Sequence, residues 1–345
     1  MRRPLVPLAV AAGVALLLVA GWIWPSARVP LITFLCYGLA ALGLTVLLRA
    51  GQVSFGHAMY AAIGGYGAGF TARYFPGTDA LVVLGAGVLA SAAFGAIVAA
   101  FVTRYRGIFF GMLNLGISMV LFALAGKLYA WTGGTDGLRF ERPTFLGMVL
   151  DRGEFEYAML GLVAVLATGL GWLVQRYFVS SAGQVMLAIR SNETRLEYIG
   201  VSARAALAQG YVLSAVLVGL AGALLALEQN LVTPESGYWI RSGEYVFIAI
   251  LGGSAHAVGA FIGAAVFEAI KLGAAAYFTN AWQMLLGLTL IAVIFFAPQG
   301  IVGCLRRTPK ARAPLDHGAK AAKDQDTVPA TGHTTKGGSH DSLSY

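Results

Sequence analysis

Six polar side chains stand inside otherwise apolar runs of this chain: Ser54, His57, Asn114, Ser254, His256 and Glu268. Polar groups held away from water are costly unless they pair with each other or face a wet cavity. These six are therefore the candidate lining of a path for a polar solute. Each also has a purely structural role open to it. Glu268 and Lys271 are three residues apart and can pair on one helix face, while the histidines and Asn114 can bond a neighbouring helix backbone. Catalytic chemistry finds no comparable foothold. The sequence has no H-E-x-x-H, no G-x-S-x-G and no paired-carboxylate helix motif. Gly126-Lys127 has the ending of a phosphate-binding loop, but Leu121 stands where Gly is required and Leu128 where Ser or Thr is required. If transport is driven by nucleotide, another chain must bind it, and no cofactor or metal is expected here.

A second chemically informative stretch runs from Ser181 to Val201. On a helical wheel Val185, Ile189, Leu196 and Ile199 share one narrow stripe. Asn192 falls on the same stripe, so a break is expected there, with Asn192 capping a short second helix that ends at Gly200. Such a segment either lies on a membrane surface or docks into a groove on a soluble partner.

The elements that must position these residues follow from composition. The chain has 345 residues, 58% hydrophobic and only 12% charged, with mean hydropathy +0.73. Soluble domains carry roughly 25% charged residues, so a soluble enzyme, a disordered protein and a disulfide scaffold are all excluded. Apolar runs occupy about 30–48, 53–72, 80–103, 107–130, 157–178, 205–227, 243–275 and 279–298. They follow a first run over Leu5–Gly21, read as an uncleaved span because Trp22 and Trp24 sit at its end as interface aromatics. Backbone groups in lipid must be satisfied within their own segment. The fold class is therefore all-α, a polytopic membrane helix bundle of 8–10 transmembrane helices. The uncertain count comes from 243–275, interrupted at Gly252-Gly253-Ser254-Ala255-His256, which is either two short spans or one span plus a re-entrant half-helix. Gly65-x3-Gly69 and Gly259-x3-Gly263 offer close helix approach.

The net charge of +8 is distributed by membrane topology, not for nucleic acid. Arg2, Arg3, Arg49, Arg104, Arg106 and the basic loop 176–204 mark one side, the net acidic loop 131–156 the other. By the positive-inside rule both termini are cytoplasmic. Residues 1–303 form the membrane domain, with the loop about 179–204 cytoplasmic. Residues 304–345 have the composition of a disordered tail, where His317, His333 and His340 are too irregularly spaced for a metal site. Cys36 and Cys304 suit neither a disulfide framework nor a metal cluster.

The chain resembles the permease subunits of branched-chain amino acid ABC transporters, M-type branch. The matching pieces occur in order: Gly51-Gln-Val-Ser-Phe-Gly-His57, Arg104-Tyr-Arg-Gly-Ile-Phe-Phe-Gly-Met112 and Thr132-Gly-Gly-Thr-Asp-Gly137. Leu187-Ala-Ile-Arg-Ser-Asn-Glu193 with Ile199-Gly200-Val201, Ser214 with Gly219-Leu-Ala-Gly-Ala223, Leu251-Gly-Gly253 and Phe296-Ala-Pro-Gln-Gly-Ile-Val-Gly303 follow. The resemblance implies a multi-pass protein of the bacterial inner membrane. It implies that 183–201 is the segment coupled to an ATPase, with Gly183, Ala188, Arg190, Glu193, Ile199 and Gly200 in that role. The implied partners are a homologous permease, two cytoplasmic ATPase subunits that bind the ATP, and an extracytoplasmic substrate-binding protein. Where such permeases usually have small alanines after the glutamate, this chain has Arg195 and Leu196. The outer stretch Thr132–Gly137 either meets the delivery protein or is a solvated turn. The rival reading is an ion-gradient-driven secondary transporter working through Glu268 and the histidines.

Overall fold

The computed structural model describes residues 5–277, 284–285, 287–289, 291, 295 and 300–305. Most of the apolar run 279–298 and the polar stretch from 306 onward lie outside them. Helices α1 (Leu5–Ile23), α2 (Arg28–Arg49), α3 (Ala58–Tyr74), α4 (Ala80–Val102) and α5 (Gly107–Lys127) come first, followed by the single turn α6 (Tyr129–Thr132). Then come α7 (Arg152–Val179), α8 (Ser181–Ser191), α9 (Glu193–Tyr198), α10 (Ala203–Gln229), α11 (Trp239–Gly252), α12 (Ala257–Tyr277) and α13 (Gly300–Leu305). Among the described residues six helices are long and apolar enough to cross a membrane. The polytopic all-α expectation is met.

The starts of these helices follow local chemistry. Asp79 Oδ1 accepts from Leu81 N (2.9 Å) at α4, and Ser202 Oγ accepts from Ala205 N (3.3 Å) at α10. Each satisfies a donor that the first turn leaves orphaned. The helix α10 ends at Asn230, whose φ of +52° is left-handed.

Helices α2 and α10 form the centre, each with 78% of its apolar window buried, while only 22% of that of α5 is buried. Ile108, Phe109, Met112 and Val120 of α5 face outward, as expected where lipid covers a helix. Helices α3 and α10 approach each other closely. A Cβ at Gly64 would lie 2.1 Å from Gly219 O, and one at Gly222 would lie 2.0 Å from Ala61 O. Gly64, Gly219 and Gly222 make the tightest contact between these two helices; Gly65 also faces α10, where a Cβ would lie 3.4 Å from Gly222 O, whereas Gly69 faces the side chains of Leu138 and Phe140. The second expected pair holds. Gly259 and Gly263 of α12 pack on the backbone of α11, where added Cβ atoms would approach Gly253 O to 2.5 Å and Ile248 O to 2.3 Å.

The run 243–275 resolves into a short helix and a long one. The 14 residues of α11 span about 21 Å at ~1.5 Å per residue, well short of the roughly 30 Å of hydrocarbon. The chain reaches α11 through β2 (Leu231–Val232) and a 3-10 turn Pro234–Gly237. Gly237 O accepts from Ser118 Oγ (2.9 Å), and Ser242 Oγ accepts from Ala58 N (2.8 Å) at the start of α3. This segment therefore dives between α3 and α5 before α11 begins. Gly253, with φ +89°, turns the chain into α12.

The two ends of the bundle differ. One, the basic end, gathers the 49–53 turn, Arg106, α8–α9 and the Gly253 turn. The opposite end carries β1 (Leu138–Arg139), antiparallel to β2, and the loop that bridges Thr144 to Asp79.

Candidate functional site

At the basic end a cavity of about 890 Å³ is lined by Arg49–Val53, Arg106, Leu187, Arg190, Glu193, Ser254 and the glycines 253, 300 and 303. Its wall is built by α8 and α9. Gly183 folds α8 back onto the end of α7 so tightly that a Cβ would lie 2.2 Å from Tyr177 O. Met186 and Ile189 are buried beneath α8, Met186 against Gly210 of α10. Asn192 Oδ1 accepts from Arg195 N (3.1 Å) and caps α9, the break expected from its place on the stripe. Leu196 is buried as well.

Ile199 departs from the expected stripe. It follows α9 as its C-cap and is 73% exposed, beside Tyr198 at 86%. The wheel assumed one continuous helix through position 199, whereas α9 ends at Tyr198 and leaves Ile199 outside it. Gly200, with φ +81° and open space around it, ends the segment. Ala188 is half-buried and Arg190 exposed.

Glu193 is held within the chain. Arg106 Nε donates to its Oε2 (2.9 Å) and Arg106 Nη2 to its Oε1 (2.6 Å). Arg106 also donates to Thr103 O and Tyr105 O, while Gln52 Oε1 accepts from Gly107 N (2.9 Å). This planar two-point clasp ties α9 to the turn between α4 and α5. The sequence reading used Arg106 only as a topology marker and did not pair it.

Of the candidate path residues, three meet in the core. His57 Nδ1 lies 2.6 Å from Ser54 Oγ, and its ring meets those of Tyr60 and Tyr211 edge-on. Tyr60 donates to Tyr211 (2.8 Å), Tyr211 donates to Asn114 Oδ1, and Asn114 Nδ2 donates to Phe110 O (2.8 Å). All five side chains are fully buried and line none of the cavities described here. They knit α3, α5 and α10 together. Ser254 lines the basic-end cavity, and His256 Nδ1 accepts from Val258 N (3.3 Å) at the start of α12.

Glu268 lies elsewhere. It lines a cavity of about 290 Å³ near the opposite end, with Tyr37, Arg241, Tyr245, Glu235 and Lys271. Lys271 Nζ is 3.9 Å from Glu268 Oε2, the expected i,i+3 partner at a loose distance. Arg241 donates to Tyr37 Oη (2.9 Å) and Glu244 Oε2 (3.0 Å). Arg241 and Glu244 went unnoticed in the sequence, although the spacing that flagged Glu268 and Lys271 flags them equally. The Thr132–Gly137 stretch is no free turn. Thr132 Oγ1 donates to Ala125 O (2.6 Å), Gly133, Gly134 and Gly137 are left-handed, and the chain passes directly into β1. Among the described residues no three His, Cys, Asp or Glu side chains group as a metal site.

A family model described as branched-chain amino acid transport system / permease component matches residues 27–294. Two curated relatives, each named high-affinity branched-chain amino acid transport system permease protein LivM, come from Salmonella typhimurium strain LT2 and Escherichia coli K12. Each is 26% identical over 83% of this chain and 72% of its own length. No solved structure matches.

Proposed function

Because this chain belongs to the branched-chain amino acid transport system / permease component family, a multi-pass protein of the bacterial inner membrane, we propose that it is the permease subunit of an ATP-driven importer of branched-chain or related amino acids. In this reading the basic end faces the cytoplasm, as the positive-inside rule directs, and so do both termini. ATP is bound by two partner ATPase subunits and by no site in this chain. A homologous permease completes the membrane assembly, and an extracytoplasmic binding protein delivers the cargo and imposes most of the selectivity.

The observation that carries the proposal is the build of α8–α9. Its inner face is fixed by Met186, Ile189, Leu196 and the Arg106 clasp, while Leu187, Tyr198 and Ile199 remain exposed. A rigid element with an anchored inner face and an apolar outer one is suited to passing motion from a docked motor into the bundle, a rigid-body switch. Gly183 sets its angle, Arg190 borders the cavity, Ala188 is half-buried on α8, Glu193 holds the clasp, and Ile199 and Gly200 form the tip.

Exposed Ile199 gives the test. The variant I199E should insert into the membrane at the wild-type level but lose co-purification of the ATPase subunits. Undiminished ATPase association would overturn the assignment. The ion-driven alternative draws no support from His57, which is fully buried and lines neither cavity described above.

A further inference from the structure

The cavity of about 290 Å³ near the end opposite α8–α9 carries two basic lining residues, Arg241 and Lys271, and two acidic ones, Glu235 and Glu268. We infer that this cavity is a binding site for a zwitterionic amino acid, with Arg241 holding the carboxylate and Glu268 the ammonium. The inference deepens the importer reading and rests on it.

Sign balance is the first argument. The lining brings two basic and two acidic side chains together, with Glu244 paired to Arg241 behind it, so both signs that a zwitterion needs are present. Glu268 is the second. It is 7% exposed, and its buried Oε2 accepts no hydrogen bond; Lys271 Nζ, at 3.9 Å, is too far to donate. A buried carboxylate without a donor is costly, and a ligand ammonium in the cavity beside it would offset that charge. Arg241 is the third. Its hydrogen bonds to Tyr37 and Glu244 both leave from Nη1, and these two partners fix the guanidinium whose planar fork matches a carboxylate.

Size and surroundings agree. The volume sits at the small end of the roughly 300–1,000 Å³ typical of small-molecule sites. Leu225 and Val232 give an apolar wall for an aliphatic side chain, and Gly65 and Gly222, packed where α3 meets α10, form the floor. Thr233 and Ser236, from the segment leading to α11, also line the cavity. They lie on the side where the importer reading brings cargo in.

The test uses the full chain assembled with its membrane and ATPase partners in vesicles, without a binding protein. Ser236→Cys provides a reporter for a membrane-impermeant maleimide, with Cys304→Ser removing one native thiol and Cys36 already buried. L-leucine at ~10 times its dissociation constant should slow labelling about tenfold. L-leucinamide, lacking the carboxylate, and 4-methylpentanoate, lacking the amine, should protect poorly. E268Q should raise the protecting leucine concentration about tenfold or more, E268D less, and R241K should weaken protection while keeping the charge. Protection by either analogue equal to that by leucine, no protection in the parent protein, or unchanged protection in both E268Q and R241K would overturn the inference. ATP-dependent uptake by the same vesicles separates the two claims. Once a substrate-loaded binding protein is added to those vesicles, normal uptake without leucine protection removes this site alone, whereas absent uptake removes the importer reading.

Discussion

Neutralising Glu193 should loosen α9 from the bundle by a calculable amount. Two charge-assisted hydrogen bonds at 2.9 and 2.6 Å join it to Arg106, and the two side chains are 27% and 30% exposed. Fully exposed pairs contribute ~1 kcal/mol at most. The two-point geometry and partial burial raise this to about 1–2 kcal/mol. At about 1.4 kcal/mol per tenfold, the population with α9 detached should rise roughly 5- to 30-fold in E193Q. Arg190 and Arg195 are exposed trypsin sites within the segment, and cleavage of a transiently opened segment tracks its population when reclosing is fast. Trypsin should therefore cut E193Q between 180 and 202 about 5- to 30-fold faster than the parent chain. R106Q should behave alike, and the double variant should add little to either, since one contact is being removed twice. Equal cleavage rates, or fully additive effects, would refute the clasp.

Two further expectations concern the core. Gly222→Val should lower thermal stability in detergent by about 1–3 kcal/mol or more, because its Cβ would fall 2.0 Å from Ala61 O, whereas Gly116→Ala, with nothing within 4 Å, should shift the melting temperature little. Tyr211→Phe removes the hydroxyl linking Tyr60 to Asn114. It should cost about 1–3 kcal/mol by leaving Asn114 Oδ1 short of a donor, read as a lower melting temperature; an unchanged melting temperature would show that link to be dispensable.

The helical segments and the break at Gly252–His256 were legible in the sequence because lipid leaves the backbone so few options. Asn192 as a cap was legible because a short polar residue on an apolar stripe has a local explanation. The burial of helix faces was not. Lipid and helix interior are equally apolar, so nothing in the sequence told Gly64 from Gly65 or marked Ile199 as exposed. Long-range pairs were hidden for a related reason. Arg106 and Glu193 are 87 residues apart, and their signs alone fit the topology rule as well as they fit a clasp. Tyr60 and Tyr211 read as apolar bulk, and only the packing shows their hydroxyls completing the Asn114 network. Ser54, His57 and Asn114 stood out as unusual in the sequence, and the structure buries all three fully in one hydrogen-bonded and aromatic cluster.

The central claim is that motion made by separate ATPase subunits enters this chain through α8–α9. Uptake of L-leucine into vesicles that contain the assembled complex, with all ion gradients collapsed and ATP supplied on the ATPase side, tests it most directly. The account expects accumulation to continue in the parent assembly and to stop in I199E with the permease still in the membrane. Accumulation against a concentration gradient by this chain alone, with no ATPase bound, would contradict it.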